Sequence, residues 1–252
     1  MNVYVIGLLW VAGAVVVSSG LMIAIRRIFS EEHRHASDEA ANRVFTIVAG
    51  LEAVLAAFVL IDVFSAVDTA RTNSLQEADS LVAVYWDADL LPAPARDQIQ
   101  KLVHEYTNTV VNQEWPAMRA EKPVAETGKE QLDQIHDAIA AVVPSTAAME
   151  DRQTQVANDL TTVYSDRQQR LDAAATRVNS IVWLALIVGG ALSVGLTCLF
   201  GGTKLRTHII VAGTLAGTLA VLLYATYQLQ NPFGGAVQVS PEAFSSALSQ
   251  FS

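Results

Sequence analysis

The sequence has a single cysteine, Cys198, set inside an apolar run, so no disulfide can form within the chain and cysteine says nothing of redox compartment. Basic charge is scarce: 16 Lys and Arg stand against 25 Asp and Glu, for a net charge of −9 and a pI near 4.9. Phosphate binding needs a basic surface, which excludes nucleic acid as a partner. Charge of either sign makes up only 16% of the residues while 52% are hydrophobic, too apolar for an ordinary soluble domain. Patterns for catalysis or metal binding are missing as well. GGTK at 201–204 lacks the P-loop spacing and reads as a turn after an apolar run. EEHRH at 31–35 has metal-ligating residue types but sits in a charged loop without a rigid frame. HEYTN at 104–108 lacks the second histidine of a zinc-protease motif, and no serine or cysteine nucleophile has a local signature. No catalytic residue, metal ligand or cofactor is assigned, and enzyme activity is not expected.

What is present is four apolar runs, each near the roughly 20 residues that a membrane helix requires. They are Val3 to Ile25, Val44 to Phe64, Ile181 to Phe200 and about Ile209 to Leu229. The first has no basic residue ahead of it and is too long for a signal-peptide core, so it reads as a retained helix. Short loops rich in Lys and Arg stay in the cytoplasm. Arg26, Arg27, Arg34 and Arg43 follow the first run, and Lys204 and Arg206 follow the third, whereas the tail from Gln230 to Ser252 has neither residue type. Both termini and the long insert are therefore expected on the outer side of the membrane. The insert holds 10 Lys and Arg against 18 Asp and Glu, an acidity that agrees with that side.

The insert shows helical periodicity and almost no strand alternation. Val67, Ala70, Ser74, Ala78, Leu81 and Tyr85 share one face, which predicts that the second membrane helix continues unbroken into the insert. LPAPA, with Pro92 and Pro94, ends that stripe. Ile99, Leu102, Val103, Tyr106 and Val110 form a second stripe that ends near EWP. Thr127 and Glu130 have the spacing of a capping box ahead of a third stripe, Leu132, Ile135, Ile139 and Val142. After Pro144, Ser145 suits the cap of a fourth helix carrying Met149, Val156, Leu160, Val163, Leu171 and Val178. With no internal Pro or Gly before Gly189, this helix is predicted to run straight into the third membrane helix, about 80 Å at 1.5 Å per residue. The fold class is all-α: four transmembrane helices with an antiparallel helical bundle inserted between the second and third, and long helices continuous across the membrane boundary. The expected division is 1–64, first two membrane helices and a basic loop; 65–180, acidic bundle; 181–230, third and fourth membrane helices; 231–252, tail.

Small residues let membrane helices approach closely. Gly213 and Gly217 make GxxxG, and Ala212, Ala216 and Ala220 recur every four residues; packing within one subunit is the default and packing between subunits the alternative. Tyr4, Trp183, Tyr224 and Tyr227 suit an outer interfacial belt, and Phe29 and Phe200 an inner one. In the tail, Ser240 and Pro241 suit the start of a short helix whose Phe244, Leu248 and Phe251 share a face, and docking on the bundle is its default.

Glu52 interrupts the second apolar run. An ionised carboxylate at the centre of a membrane helix costs about 2.5–3.5 kcal/mol by insertion scales. Such a group faces a bundle interior or a water-filled cavity, so Glu52 is either a neutral, hydrogen-bonded acid or a pore-lining or proton-accepting group. Leu55 and Val59 share its face, and Asp62, ten residues on, lies about 15 Å higher and rotated by roughly 80°, so the two carboxylates do not pair. Glu52, Leu55, Val59 and Asp62 are the candidate pore or proton site.

A further pattern comprises Ala70-Arg71, Glu77-Ala78, Leu81, Tyr85, Leu91-Pro92, Arg96 and Tyr106. It continues with Glu114-Trp115-Pro116, Pro232-Phe233, Gly235 and Val239-Ser240-Pro241. By these residues the chain, from Asn42 to Phe251, resembles the bacterial bestrophin-like family of membrane proteins. The family's name invites comparison with bestrophins, oligomeric anion channels lined by their second membrane helix. The chain departs from them in lacking a recognisable bestrophin neck or calcium-clasp motif, and in the positive-inside reading, which puts its helical domain outside. A ring of ionised Glu52 side chains would favour cations, so an anion path requires that residue protonated or turned away. The resemblance implies an oligomeric channel or ion-translocating protein in a lipid bilayer, a homo-oligomer. The alternative is a non-conducting scaffold, sensor or accessory subunit of a membrane complex whose helical bundle binds another protein.

Overall fold

The computed structural model describes residues 2–28, 38–199, 205–235 and 237–251; EEHRH at 31–35, GGTK at 201–204, Phe29, Arg34 and Phe200 lie outside them. Among the described residues the secondary structure is helical throughout, and four helical stretches contain a window long and apolar enough to cross a membrane. The helices are α1 (Val3–Ile28), α2 (Asp38–Asp87), α3 (Ala93–Thr109), α4 (Trp115–Arg119), α5 (Thr127–Ala140), α6 (Ala147–Ala175), α7 (Ser180–Leu199), α8 (Leu205–Leu229) and α9 (Glu242–Gln250). They form two compact units, one from residues 1–64 and 177–230, the other from 65–176 and 231–252.

In the first unit, α8 packs along α1 through its small residues. Gly213 and Gly217 are buried, and a Cβ on them would lie 3.3 Å from Val15 Cγ1 and 3.4 Å from Val15 Cγ2. The GxxxG face, with buried Ala212 and Ala216 and half-buried Ala220, thus serves a helix contact inside one chain. Gly7 answers from α1: a Cβ there would come within 2.7 Å of the Tyr224 ring, whose hydroxyl donates to the Val3 carbonyl at 2.6 Å. Tyr4 and Tyr227 are exposed, and Trp183 Nε1 donates to Gln230 Oε1 at 3.3 Å.

In the second unit, the predicted stripes form one core. Ala70, Ala78 and Leu81 of α2 join Ile99, Val103 and Tyr106 of α3, Leu132, Ile135 and Ile139 of α5, and Val156, Leu160 and Val163 of α6. The tail adds Phe233, Val239, Phe244, Ala247 and Phe251 to the same core, so the apolar face of α9 docks there.

α2 runs 50 residues without a break. The fourth bundle helix does not do the same: α6 ends at Ala175 and α7 starts afresh at Ser180. The predicted continuity fails because short polar side chains offer the backbone other partners. Thr176 is extended (φ −70°, ψ 136°) while its hydroxyl donates to the Asp172 carbonyl at 2.7 Å, and Asn179 Oδ1 accepts from the Ile181 N–H at 2.9 Å, capping the new helix. The second stripe also outruns its predicted end. A π-turn at Val110–Glu114 carries the helix through EWP into α4, and the tolerance of Pro116 follows from that wider turn, in which the Trp115 N–H reaches back to the Val110 carbonyl. Thr127 is already the first helical residue, with Glu126 at the cap position, so Thr127 and Glu130 form no capping box. Thr146, one place after the predicted Ser145, caps α6 by accepting from the Met149 N–H. α9 likewise starts at Glu242, with Pro241 rather than Ser240 at its cap.

Candidate functional site

Within the first unit α2 has two unlike faces. Glu52, Ala56, Val59 and Val63 recur at helical spacing and are buried, whereas Leu51, Val54, Phe58 and Ile61 on the other side are exposed. Leu55 packs half-buried beside Ala56, Val59 and Leu186 of α7. Three of the four predicted site residues, Glu52, Leu55 and Val59, therefore come together on the face turned to α7; Asp62 is exposed. Glu52 is only 6% exposed. Its carboxylate rests on Gly189 of α7: a Cβ at 189 would collide with Glu52 Oε2, and one at Gly190 would lie 3.8 Å from Oε1. Glycine at 189 is what allows the carboxylate so near the α7 backbone.

The second unit holds a polar cluster inside its core. Arg170 of α6 is fully buried and donates from Nε to Glu77 Oε2 at 2.7 Å. Its Nη2 donates both to Glu77 Oε1 at 3.0 Å and to Glu114 Oε2 at 2.6 Å. Arg167, one turn earlier, donates from Nη2 to Glu114 Oε1 at 2.8 Å, and the Tyr106 hydroxyl donates to Glu77 Oε1 at 2.6 Å. The guanidinium of Arg170 also lies over the rings of Trp115 and Phe244, 5.8 and 5.5 Å from their centroids. Gly128 of α5 completes the enclosure, since a Cβ there would collide with Glu114 Oε1.

Two carboxylates thus face two guanidinium groups, a balanced set that a buried site can hold. Burial on its own would lower the Arg170 pKa, but the charge and hydrogen bond of Glu77, together with Tyr106 and Glu114, outweigh it and raise it well above the ordinary arginine value. Burial, and then the negative charge of Glu77, push the Tyr106 phenol well above its usual range, so it stays a donor. Among the described residues no guanidinium bonds to Asp166; those of Arg167 and Arg170 go to Glu77 and Glu114. Burial first, and Glu77 second, raise its pKa, and its Oδ2 is buried without a hydrogen-bond partner.

Residues 12–244 match the bestrophin-like domain. The chain belongs to the bestrophin-like family. It is similar in structure to a bacterial bestrophin homologue from Klebsiella pneumoniae, at 13% identity and a TM-score of 0.72 over 97% of each chain. A second crystal structure, of a membrane protein, matches at 13% identity and a TM-score of 0.69, covering 96% of this chain and 97% of that one. At such identity the likeness shows the fold alone. None of the curated proteins matches by sequence.

The residues that carry the bestrophin-like resemblance converge in the second unit. Glu77, Tyr106, Glu114 and Trp115 surround Arg170, and Phe233 and Val239 pack in the same core; Pro116, exposed, follows the π-turn. Sequence reading missed Arg167 and Arg170. The signal was available: Leu160, Val163, Arg167 and Arg170 step along one inward face, and an inward cation requires a buried anion. Glu77 on the α2 stripe, and Glu114 at the end of the π-turn that follows α3, break the apolar pattern in the same manner.

Proposed function

We propose that this bestrophin-like chain is the subunit of a homo-oligomeric channel or ion-translocating protein of the bacterial plasma membrane, with α2 nearest the axis and Glu52 as a proton-accepting group in its wall. The observation that carries this reading is Glu52 itself, a carboxyl group buried among apolar residues of a membrane-length helix, on the face turned to α7. Intramembrane ionisable residues are costly and mark ion or proton paths. Family membership supports the same reading and favours a non-enzymatic protein. Because the Glu52 face is turned to α7, the residue acts from behind the exposed face of α2, with Leu55 half-buried beside it and Asp62 exposed. Flux in liposomes tests this: Glu52→Gln alters ion or proton flux, and unchanged flux removes Glu52 from the mechanism. An image of the purified particle tests the assembly, a central opening lined by α2 being the expected result. The positive-inside pattern favours an extracytoplasmic second unit and termini, and protease access to 65–180 in intact cells checks it.

The cluster around Arg170 favours a second reading. It braces the core of a unit that takes in residues 65–176 and 231–252, a body of the kind a scaffold or accessory subunit would present to another membrane-complex protein. Copurification of a fixed partner, with no flux in liposomes, distinguishes that case.

A further inference from the structure

The buried face of α7 carries more than the two glycines under Glu52. Ser193, four residues beyond Gly189, lies one turn along the same face and is only 1% exposed. Its hydroxyl oxygen is buried with no hydrogen-bond partner among the described residues. Nearly all buried polar groups are paired, so an orphan hydroxyl one helical turn from a buried carboxyl group calls for a ligand. The rise between Gly189 and Ser193 is about 6 Å. Two hydrogen bonds of about 2.8 Å placed end to end span nearly that distance, the reach of a single bridging water.

The charge on Glu52 follows from its surroundings. Along α2 the nearest charged side chains are Arg43 and Asp62, nine and ten residues away, about 13 and 15 Å. On α7 and its approach the nearest is Arg177, twelve residues before Gly189 and ahead of the helix start at Ser180. α8 brings Leu219 beside Gly190, with His208 eleven residues off, and α1 carries no charge from Val3 to Ile25. Among the described residues no cation stands at its level, so a carboxylate there would bear the full insertion cost of an unpaired charge. The neutral acid avoids that cost and needs an acceptor for its O–H.

We propose that Glu52, Ser193 and one water molecule form a proton-holding site between α2 and α7 inside a single subunit: Glu52 carries the proton and donates it to the water, which donates to the Ser193 hydroxyl oxygen. Gly189 is the positioning residue, since a side chain there displaces the Glu52 carboxyl group. The inference deepens the reading of Glu52 as a proton-accepting group and rests on its placement in the bilayer.

Infrared difference spectroscopy of the full chain in liposomes, stepped in pH, tests it. The expected result is a protonated-carboxyl carbonyl band that shifts with glutamate-specific 13C labelling and disappears in Glu52→Gln. Ser193→Ala moves that band to higher frequency, and Ser193→Thr, which keeps the hydroxyl, restores it. A band unmoved by Ser193→Ala, or no labelled acid band at any pH, overturns the site. Should Glu52→Gln fail to fold, isotope labelling and the two Ser193 variants decide the matter. Ion flux measured on the same vesicles is a separate readout: absent flux with an intact, Ser193-sensitive band removes the channel reading and leaves the proton site standing.

Discussion

The ring of Phe251 stacks on that of Tyr85, 4.6 Å between centroids and 23° between planes, while the Tyr85 hydroxyl donates to the backbone carbonyl of Phe251 at 3.0 Å. One aromatic residue near the end of the chain is thus held twice by the last turns of α2. Phe251→Ala is expected to destabilise the second unit by about 3 kcal/mol through the lost core side chain. Tyr85→Phe, which keeps the stack and loses the hydroxyl, is expected to cost about 1 kcal/mol. Thermal unfolding in detergent, with limited proteolysis of the tail, measures both; equal effects of the two changes would contradict the double attachment.

The charges around Arg170 act as a set. Arg170→Met leaves Glu77 and Glu114 buried with a deficit of positive charge, and the expected loss is about 3–5 kcal/mol. Adding Glu77→Gln to Arg170→Met should recover a good part of it, because the uncompensated carboxylate is what destabilises. A double-mutant cycle on Arg170 and Glu77 gives the coupling. Strict additivity would mean that the two side chains do not depend on each other.

Acid groups along the α2–α6 seam give the second unit a pH dependence. Asp166 is raised by burial and then by Glu77; Asp159 is raised by burial and then by a shared hydrogen bond with Asp87. In each case the folded form holds its proton above the unfolded value of 3.8. Between those two values the folded state binds more protons, so stability present below pH 3.8 is lost as pH climbs through the raised folded values. Asp166→Asn should flatten that part of the stability curve, read by chemical denaturation at stepped pH, and an unaltered slope would dismiss Asp166 as its source.

Glycines of the first unit divide into those in contact and those in open space. Gly217→Val presses on Val15 and Val11 and is expected to cost about 1–3 kcal/mol by forcing α8 from α1. Gly13→Ala meets nothing within 4 Å and serves as the control, near neutral. Comparable melting temperatures for the two variants would refute the close α1–α8 packing.

Periodicity carried most of the fold into view. Leu81, Ile99, Ile135 and Leu160 each lie on a stripe legible in the sequence, and each is buried in the second-unit core. What escaped the sequence depends on single hydrogen bonds or on long-range geometry. The interruption at Thr176–Asn179 contains neither proline nor glycine, so no breaker announces it; the polar side chains of Thr176 and Asn179 make it. Glu52 was visible as an anomaly, yet its neighbour Gly189 belongs to a helix more than a hundred residues later. Arg170 was hidden because an arginine in a charged helix looks like a solvated one until its inward register is counted.

The π-turn at Val110–Glu114 inserts one residue into an otherwise regular helix. Everything from Glu114 to Arg119 is thereby rotated by about 100° relative to a plain α-helical continuation. Deleting one residue from 110–113 would wind the segment back into ordinary register, swing the Glu114 carboxylate off the guanidinium of Arg170 and press the Pro116 ring against a carbonyl. Tolerance to length changes in this stretch is accordingly far lower than its exposed Asn112 and Gln113 would lead an engineer to assume.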